Sequence, residues 1–268
     1  MSNEIITGSA ATEGRLWSVH ADDWAQIQER QVLPAYEAAL DALDVGEATR
    51  LLDVGCGAGL ALRLAADRGA AVSGLDASEG LLAHARARVP GAPVVLGDLE
   101  RLPFDDHSFD IVTGFNSFQF AAHPGDALAE ARRVATRSGR VLVMVWAPAQ
   151  QCEAAAYLVA LGQLMPPPPP GAGGPFALSG EGALTELLDS AGLDVAAITD
   201  VTCEWRYPDE PTALAGLMCS GPVVGVAEHA GESAVRDVTA TFLEPFRTAN
   251  GGYRIANDFR YVIGTPRP

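Results

Sequence analysis

Lysine is absent from the 268-residue chain, so every basic residue is an arginine. The missing amine excludes a Schiff-base mechanism and a lysine general base. Acidic residues outnumber arginines by 34 to 18, which gives a formal net charge of −16. A surface this acidic repels phosphate backbones and anionic lipids, so we expect neither a nucleic acid nor a membrane as a partner. A small neutral or cationic substrate fits this charge better.

Cysteines and long apolar runs are scarce as well. The four cysteines show neither Cys-x-x-Cys spacing nor the density of a disulfide framework. No apolar run reaches the length of a membrane span. The first 14 residues lack the charged and apolar regions of a signal peptide. We therefore predict a reduced, cytoplasmic protein that is a monomer or a homodimer.

Short apolar runs alternate with helical patterns from residue 50 onward, which predicts an α/β fold with a doubly wound, mostly parallel sheet. The expected strands are residues 50–54, 71–75, 93–96, 109–113, 139–146, 195–207 and 259–263. The expected helices are two within residues 22–43, then 60–68, 80–89, 124–137, 149–165, 184–191, and two or three across 212–247. Residues 1–13 are expected to fray. Residues 166–174 begin with five prolines and predict an extended loop.

The strongest motif is LLDVGCGAG at residues 51–59, which follows a predicted strand and opens a predicted helix. Gly55 and Gly57 let the backbone turn sharply and approach a ligand without Cβ clashes. Dinucleotide-binding loops carry glycines here too, but Leu60 stands where their third glycine belongs. Asp53 also suits a cationic ammonium better than a pyrophosphate. The simpler alternative for Asp53 is a hydrogen bond to the loop.

Two more acidic residues follow the next predicted strands. Asp76 lies at the tip of the second strand, where a carboxylate accepts hydrogen bonds from ribose hydroxyls. Its alternative role, shared with Ser78, is to cap the following helix. Asp98 follows the third strand, where its carboxylate can accept a hydrogen bond from an adenine amino group.

Four segments carry a resemblance to a known family, in order and at the family's spacing: LLDVGCGAG, GLDAS, GDLERLPFDDHSFDIV and SGRVLVMVW. They cover residues 50–146 and resemble class I S-adenosylmethionine-dependent methyltransferases, especially the group related to ubiquinone and menaquinone biosynthesis enzymes. The resemblance implies a Rossmann-like sheet of seven strands whose last strand is antiparallel. It also implies S-adenosyl-L-methionine as cofactor, S-adenosyl-L-homocysteine as product, and in-line methyl transfer to a small molecule of secondary metabolism.

The resemblance further implies where the cofactor and the substrate bind. It puts the methionine moiety against Gly55 and Gly57, the ribose on Asp76, and the adenine near Asp98 and Leu99. The expected cofactor contacts are Trp24, Asp53, Gly55, Cys56, Gly57, Asp76, Ala77, Gly97, Asp98, Leu99 and Asn116. The expected substrate contacts are Tyr36, Phe118, Gln119, Phe120 and Trp146.

His123 and His20 are the candidate catalytic residues, because an oxygen or nitrogen nucleophile can need a general base near neutral pH. His123 follows the fourth strand, at the edge where ligands bind in open α/β sheets, and His20 lies in the N-terminal helices. The alternative for each is an ordinary structural role. No metal is expected, since the histidines, aspartates and glutamates show no metal-ligand spacing.

We divide the chain into N-terminal helices or a lid (1–49), a cofactor-binding core (50–146), and the remainder of the sheet (147–268). Lid insertions are expected at about 147–176 and 208–248. Three other functions stay open: a cyclisation or rearrangement that uses no methyl group, a non-catalytic partner subunit, and a nicotinamide oxidoreductase. Product mass separates the first from methylation, and cofactor titration separates the third.

Overall fold

The computed structural model of the chain describes residues 9–167 and 174–267. Its strands are β1 (Arg50–Val54), β2 (Ala71–Asp76), β3 (Val94–Leu96), β4 (Phe109–Phe115), β5 (Ala135–Trp146), β6 (Leu193–Tyr207) and β7 (Tyr253–Pro266). Its α-helices are α1 (Ala10–Ser18), α2 (Ala21–Asp23), α3 (Leu33–Ala42), α4 (Leu60–Asp67), α5 (Glu79–Arg88), α6 (Pro124–Val134), α7 (Ala155–Gly162), α8 (Ala183–Ser190), α9 (Glu210–Met218), α10 (Gly221–Ala230) and α11 (Glu232–Leu243).

The strands form one sheet in the order β3-β2-β1-β4-β5-β7-β6. β1 to β5 are parallel to one another, whereas β7 is antiparallel to both β5 and β6. The predicted seven-stranded, mostly parallel sheet with an antiparallel last strand is therefore confirmed. β1 lies between β2 and β4, and this change of direction in strand order opens a crevice at the carboxyl ends of the strands.

Both faces of the sheet are buried, and β5 shows this most clearly. Leu142 and Met144 belong to the core that includes α3, α4 and α5, while Val141, Val143 and Val145 belong to the core that includes α6 and α8. All five side chains are fully buried. Burial of each aliphatic side chain stabilises the fold by about 1.5–3 kcal/mol. A strand covered on both sides needs apolar residues at every position, which explains the continuous apolar run in the sequence.

Several predicted boundaries need correction. Residues 10–13 do not fray, because α1 begins at Ala10 and packs on the rest of the fold. The predicted helix at 149–165 shortens to α7, since Cys152 forms a β-bridge with Asn257 before the helix starts. β7 is longer than expected because it pairs with β6 along almost its whole length. Of the predicted extended loop, residues 168–173 lie outside the described residues.

The three helices α9, α10 and α11 confirm the expected helical segment between the last two strands. They contact the N-terminal helices closely. A Cβ on Gly221 would lie 2.6 Å from the Trp17 ring, and one on Gly216 would lie 3.0 Å from Gln28 Oε1. N-terminal and C-terminal helices thus meet over the crevice.

The sequence predicted neither disulfide bonds nor a membrane-spanning segment. The four cysteines are buried and unpaired in the structure. Within residues 9–167 and 174–267, no helix is long and apolar enough to cross a membrane.

Candidate functional site

The glycine loop between β1 and α4 has a backbone shape that favours glycine. Gly55 and Gly57 have φ angles of +75° and +53°, in the left-handed region. The Gly55 and Cys56 amides donate to the Leu75 carbonyl at 2.7 and 3.0 Å, which anchors the loop on β2. A Cβ on Gly55 would collide with the Ser117 side chain, whereas one on Gly57 would meet nothing closer than 3.6 Å. Gly57 therefore leaves room for a ligand against its backbone.

Asp76 ends β2 with its carboxylate fixed by backbone donors. The Gly57 amide donates to Oδ2 and the Ser78 amide donates to Oδ1, each at 2.8 Å. Burial raises the pKa of Asp76, and hydrogen bonds from the Ser78, Gly57 and Ala77 amides lower it. A carboxylate has about four acceptor positions, so Asp76 keeps the capacity to bind ligand hydroxyls.

The chain turns sharply after β4 at Asn116, whose φ angle is +53°. The Asn116 amide donates to the Met144 carbonyl at 2.8 Å, and Ser117 Oγ donates to the Val54 carbonyl at 2.6 Å. Gln119 Nε2 donates to Asn116 Oδ1 at 3.4 Å. Gln119 is 1% exposed, so this predicted substrate contact supports Asn116 instead of facing a ligand.

Trp146, Trp205 and Phe259, from the neighbouring strands β5, β6 and β7, form the aromatic wall of a cavity. The ring centroid of Trp146 lies 5.4 Å from that of Trp205 and 4.9 Å from that of Phe259. Trp205 is 5% exposed, and its Nε1 has no hydrogen-bond partner among the described residues. A buried donor left unpaired costs about 1–3 kcal/mol, so this nitrogen is a polar exception within the wall.

N-terminal helical turns cover the glycine loop. Trp24 begins a π-helical turn, and its Nε1 lies 3.6 Å from the Cβ position of Gly57. This nitrogen is also buried and unpaired within the described part of the chain. Beside it, Glu29 is 3% exposed and accepts hydrogen bonds from the Leu60 amide at 3.3 Å and from the Arg88 guanidinium. The Glu29–Arg88 ion pair thereby holds the N-terminal helices on the loop.

α1 packs on the loop that follows β2. A Cβ on Gly14 would lie 2.7 Å from the Ala77 carbonyl carbon and closer still to its oxygen. Trp17 packs edge-on against Trp24 and Phe120, with ring centroids 4.8 and 5.8 Å apart. α1 therefore joins the glycine-loop side of the site to the segment that follows β4.

These elements enclose a cavity with an empty volume of about 1250 Å³, part of it open to solvent. The predicted site residues that line it are Trp24, Tyr36, Gly55, Gly57, Asp76, Ala77, Leu99, Asn116, Phe120 and Trp146. Within the described part of the chain, no arginine or histidine lines this cavity.

Other predicted site residues lie outside the lining: Asp53, Cys56, Gly97, Asp98, Phe118 and Gln119. Phe118 is fully buried and packs against Gly114. Asp98 is 4% exposed and accepts a hydrogen bond from the Glu100 amide at 2.9 Å. Burial raises the pKa of the Cys56 thiol well above its usual range, so this thiol is not reactive.

Asp53 lies beneath the loop, where it is 1% exposed and Thr113 Oγ1 donates to its Oδ1 at 2.8 Å. Burial raises the pKa of Asp53 to about 7, the Thr113 hydrogen bond lowers it, and the charges of Glu29 and Asp76 raise it further. Its hydrogen bond goes to Thr113 in β4, which differs from the alternative considered for Asp53, a hydrogen bond to the glycine loop.

The two candidate histidines also lie outside the cavity lining. The His123 side chain is 72% exposed, and its Nδ1 lies 3.1 Å from Glu100 Oε2. The His20 side chain is 46% exposed, with Nδ1 3.8 Å from Asp23 Oδ2. This geometry gives no support to a catalytic role for either residue.

The structure brings together one group of side chains that the sequence analysis did not expect. Ligand atoms of Glu100, His123 and Asp126 lie within 4.8 Å of one another. Glu100 precedes His123 by 23 residues, so sequence spacing gave no signal. His123 and Asp126 are exposed, and nothing else at this surface indicates a cation.

Sequence analysis missed much of the remaining lining. Glu13, Gly14, Trp17, Gln28, Tyr157, Trp205 and Phe259 all line the cavity. A signal for α1 was present, because Ala10, Gly14 and Trp17 recur at helical spacing. Trp205 and Phe259 lie in strands that were expected, but only the strand order shows that they meet.

Comparisons with known proteins agree with this geometry. Residues 52–143 match the family described as a methyltransferase domain. The malonyl-acyl-carrier-protein O-methyltransferase of Erwinia pyrifoliae is 28% identical over 217 residues, which are 81% of this chain and 76% of that protein. The demethylmenaquinone methyltransferase of Beutenbergia cavernae is 37% identical over 116 residues, which are 41% of this chain and 48% of that protein. Other curated relatives are matched over as little as 32% of their length.

The fold is similar to that of solved structures. The cyclase SpnF superposes with a TM-score of 0.63 at 18% identity, over 98% of this chain and 99% of that chain. The strand order also differs from that of dinucleotide-binding domains, which lack an antiparallel strand between the last two parallel ones. Residues 52–143 therefore match a methyltransferase domain, and over a larger part of its length the chain is similar to a curated methyltransferase.

Proposed function

We propose that this chain transfers a methyl group from S-adenosylmethionine to a small-molecule acceptor. The observation that carries the proposal is the Asp76 carboxylate, held by two backbone amides at the edge of a cavity with an aromatic wall. A carboxylate at the end of β2 suits the two hydroxyls of a ribose. The rest of the cavity accommodates a second, more apolar molecule.

The lining residues fit the cofactor by chemistry as well as by space. Asp76 would hold the ribose hydroxyls, and the apolar Leu99 and Leu81 would flank the adenine. Trp24 would cover the methionine moiety at Gly57, since its Nε1 lies 3.6 Å from the Cβ position of that glycine. When bound, the cofactor supplies an electrophilic methyl group on a positively charged sulfur.

The chain itself contributes alignment and exclusion of water. The N-terminal helices and α9–α11 close over the crevice, and the aromatic wall holds the acceptor opposite the glycine loop. Alignment of two reactants lowers a barrier by up to about 7–11 kcal/mol in the best oriented cases. For an acceptor that must lose a proton, Glu13 is a suitable base in the lining, since burial raises the pKa of its carboxyl group.

Isothermal titration tests the cofactor. We expect the purified chain to bind S-adenosylmethionine and S-adenosylhomocysteine at micromolar concentrations and not to bind NADH. Asp76→Ala should weaken both affinities at least tenfold, whereas the exposed Asp67→Ala in α4 should leave them unchanged. Absence of binding of either sulfur compound, or equal effects of the two substitutions, would contradict the proposal.

Mass spectrometry of the products tests the reaction. Transfer of the methyl group adds one CH₂ to the acceptor and converts the cofactor to S-adenosylhomocysteine. An acceptor that changes structure at constant mass, with the cofactor intact, would identify a cyclisation or rearrangement instead.

A further inference from the structure

Glu13 contributes a carboxyl group to the cavity lining and has no cationic partner in the described part of the chain. It is half-buried on α1, and its Oε2 accepts a hydrogen bond from Trp17 Nε1 at 3.2 Å. The nearest arginine along the chain, Arg15, pairs instead with Glu228, and neither of these two residues lines the cavity. The described residues, which include every arginine and histidine of the sequence, therefore supply no counter-ion for Glu13.

Glu13 lies between two parts of the cavity. The next residue, Gly14, approaches the loop after β2 so closely that a Cβ on it would lie 2.7 Å from the Ala77 carbonyl carbon. The Trp17 ring, which donates to Glu13, packs edge-on against Phe120, with ring centroids 5.8 Å apart. α1 thus places Glu13 between the loop that is proposed to hold the cofactor and the segment that follows β4.

The charges of the lining favour a cationic ligand. Glu13 and Asp76 are its acidic residues, and no arginine or histidine among the described residues lines the cavity. Aromatic rings such as those of Trp146 and Phe259 present faces of negative potential, which attract an ammonium group. Moving an anion from water into such a site is costly without a cationic partner. The net charge of −16 also attracts cations and repels anions at long range.

We infer that the cavity binds a protonated amine, with its ammonium group on the Glu13 carboxylate and an apolar body against the aromatic wall. The inference rests on the proposed function in making this amine the methyl acceptor. Recognition of the cation stands on the cavity itself.

Methyl transfer to an amine requires that its nitrogen first lose a proton. The ammonium group gives one proton to the Glu13 carboxylate, whose pKa is raised by burial. The nitrogen lone pair then forms the N–CH₃ bond while the S–CH₃ bond breaks. The electron pair of the broken bond stays on sulfur in S-adenosylhomocysteine, and the nitrogen becomes a methylated ammonium.

Three naphthalene probes that differ in one substituent test the inference: 2-(aminomethyl)naphthalene, 2-(hydroxymethyl)naphthalene and 2-naphthoate. Equilibrium dialysis at pH 8 should show that wild-type protein binds the amine about tenfold more tightly than the alcohol, as a hydrogen bond between charged groups provides. The naphthoate anion should bind more weakly than the alcohol. Binding of the amine no tighter than that of the alcohol, or of naphthoate tighter than that of the amine, would overturn the inference.

Two matched variants test the role of Glu13. Glu13→Gln removes the charge but keeps an oxygen that can accept from Trp17 Nε1, so the preference for the amine should fall below about twofold while the affinity for the alcohol is unchanged. Glu232→Gln removes the same charge from an exposed position in α11 outside the lining, and the preference should remain. A preference that survives in Glu13→Gln, or is lost equally in both variants, would contradict a counter-ion at Glu13.

Titration with S-adenosylhomocysteine, run in parallel, separates this inference from the proposed function. A loss of S-adenosylhomocysteine affinity in Glu13→Gln, with the amine preference intact, would assign Glu13 to the cofactor and overturn the inference. If wild-type protein binds S-adenosylhomocysteine but shows no preference for the amine, the inference fails alone. If the amine is preferred and S-adenosylhomocysteine does not bind, the proposed function fails and the cation site stands.

Discussion

The contact between α1 and the loop after β2 allows a test of whether α1 supports the part of the cavity around Asp76 that is proposed to bind the cofactor. In Gly14→Ala, the new Cβ would lie 2.7 Å from the Ala77 carbonyl carbon, where 3.4–4 Å is ordinary contact. α1 must then move away from the loop by roughly 1 Å, and overpacking of this kind typically costs about 1–3 kcal/mol.

Alanine is the better helix former, so the same substitution favours helical α1 by about 1 kcal/mol. Because the new Cβ would lie closer still to the Ala77 oxygen, the packing cost falls in the upper half of that range, about 2–3 kcal/mol. The net cost of about 1–2 kcal/mol falls on docking of α1 and not on the sheet. Because Ala77 adjoins Asp76, we expect S-adenosylhomocysteine to bind about fivefold to thirtyfold more weakly. Urea unfolding should change by less than about 1 kcal/mol, since the core beneath the sheet is untouched.

Gly125→Ala in α6 is the matched control, because a Cβ there would meet nothing within 4 Å. Isothermal titration should find wild-type affinity in this variant. Wild-type affinity in Gly14→Ala as well would refute the view that α1 docks on the cofactor loop. An equal loss of affinity in both variants would show that the change from glycine to alanine in a helix, and not the contact with Ala77, weakens binding.

Three further outcomes follow from buried groups around the glycine loop. Gly57→Val places a branched side chain beside Trp24 at a positive φ, so titration should show at least a tenfold loss of S-adenosylhomocysteine affinity in a variant whose circular dichroism is unchanged. The pKa of Asp53 rises on folding from 3.8 to about 7, so the folded state binds this proton more tightly than the unfolded state does. The free energy of unfolding should therefore fall as the pH rises from about 4 to 7, by about 4 kcal/mol in total. Asp53→Asn should remove that fall, which urea unfolding at pH 5 and pH 8 would detect; identical pH profiles would contradict the raised pKa. Arg88→Met leaves the buried Glu29 carboxylate unpaired and should cost about 3 kcal/mol at pH 8. The loss should shrink as the pH falls, because without Arg88 the pKa of the buried Glu29 carboxyl rises further and the group is protonated more readily; a pH-independent loss would mean that packing and not charge is responsible.

The local parts of the site were predictable from the sequence. Gly55, Gly57 and Asp76 follow β1 and β2 directly, and parallel strands bring their carboxyl ends to one edge of the sheet. The same rule brings Asn116 to the cavity lining, and its contact with the cofactor stays a prediction. Periodicity and a short motif are enough to predict the position of a residue when that position depends only on the strand that the residue follows.

Short irregular turns defeated the prediction. Phe118 and Phe120 were both expected to face the substrate, yet they belong to a 3₁₀ turn with about three residues in each turn. Residues two apart then point in different directions, so Phe118 enters the core and Phe120 lines the cavity. His123, the N-cap residue before α6, follows soon afterwards and pairs with Glu100 outside the cavity.

The aromatic wall depends on pairing between distant parts of the chain. Trp146 lies opposite Phe259 in the register of β5 and β7, and Trp205 comes from β6 on the far side of β7. The sequence predicted Trp146 as a substrate contact, whereas Trp205 alone is typical of an ordinary core residue. Only the insertion of β7 between β5 and β6 makes them neighbours.

That insertion sets an order of assembly during translation. β6 leaves the ribosome before β7, yet β7 is the only strand of the described sheet with which β6 pairs. β1 to β5 hold the glycine loop and Asp76 and can pair as they emerge, whereas Trp205 must wait for the strand that follows it. We expect a nascent chain to gain the cofactor half of its site first. The surface that distinguishes one acceptor from another arises last, when β7 closes the sheet.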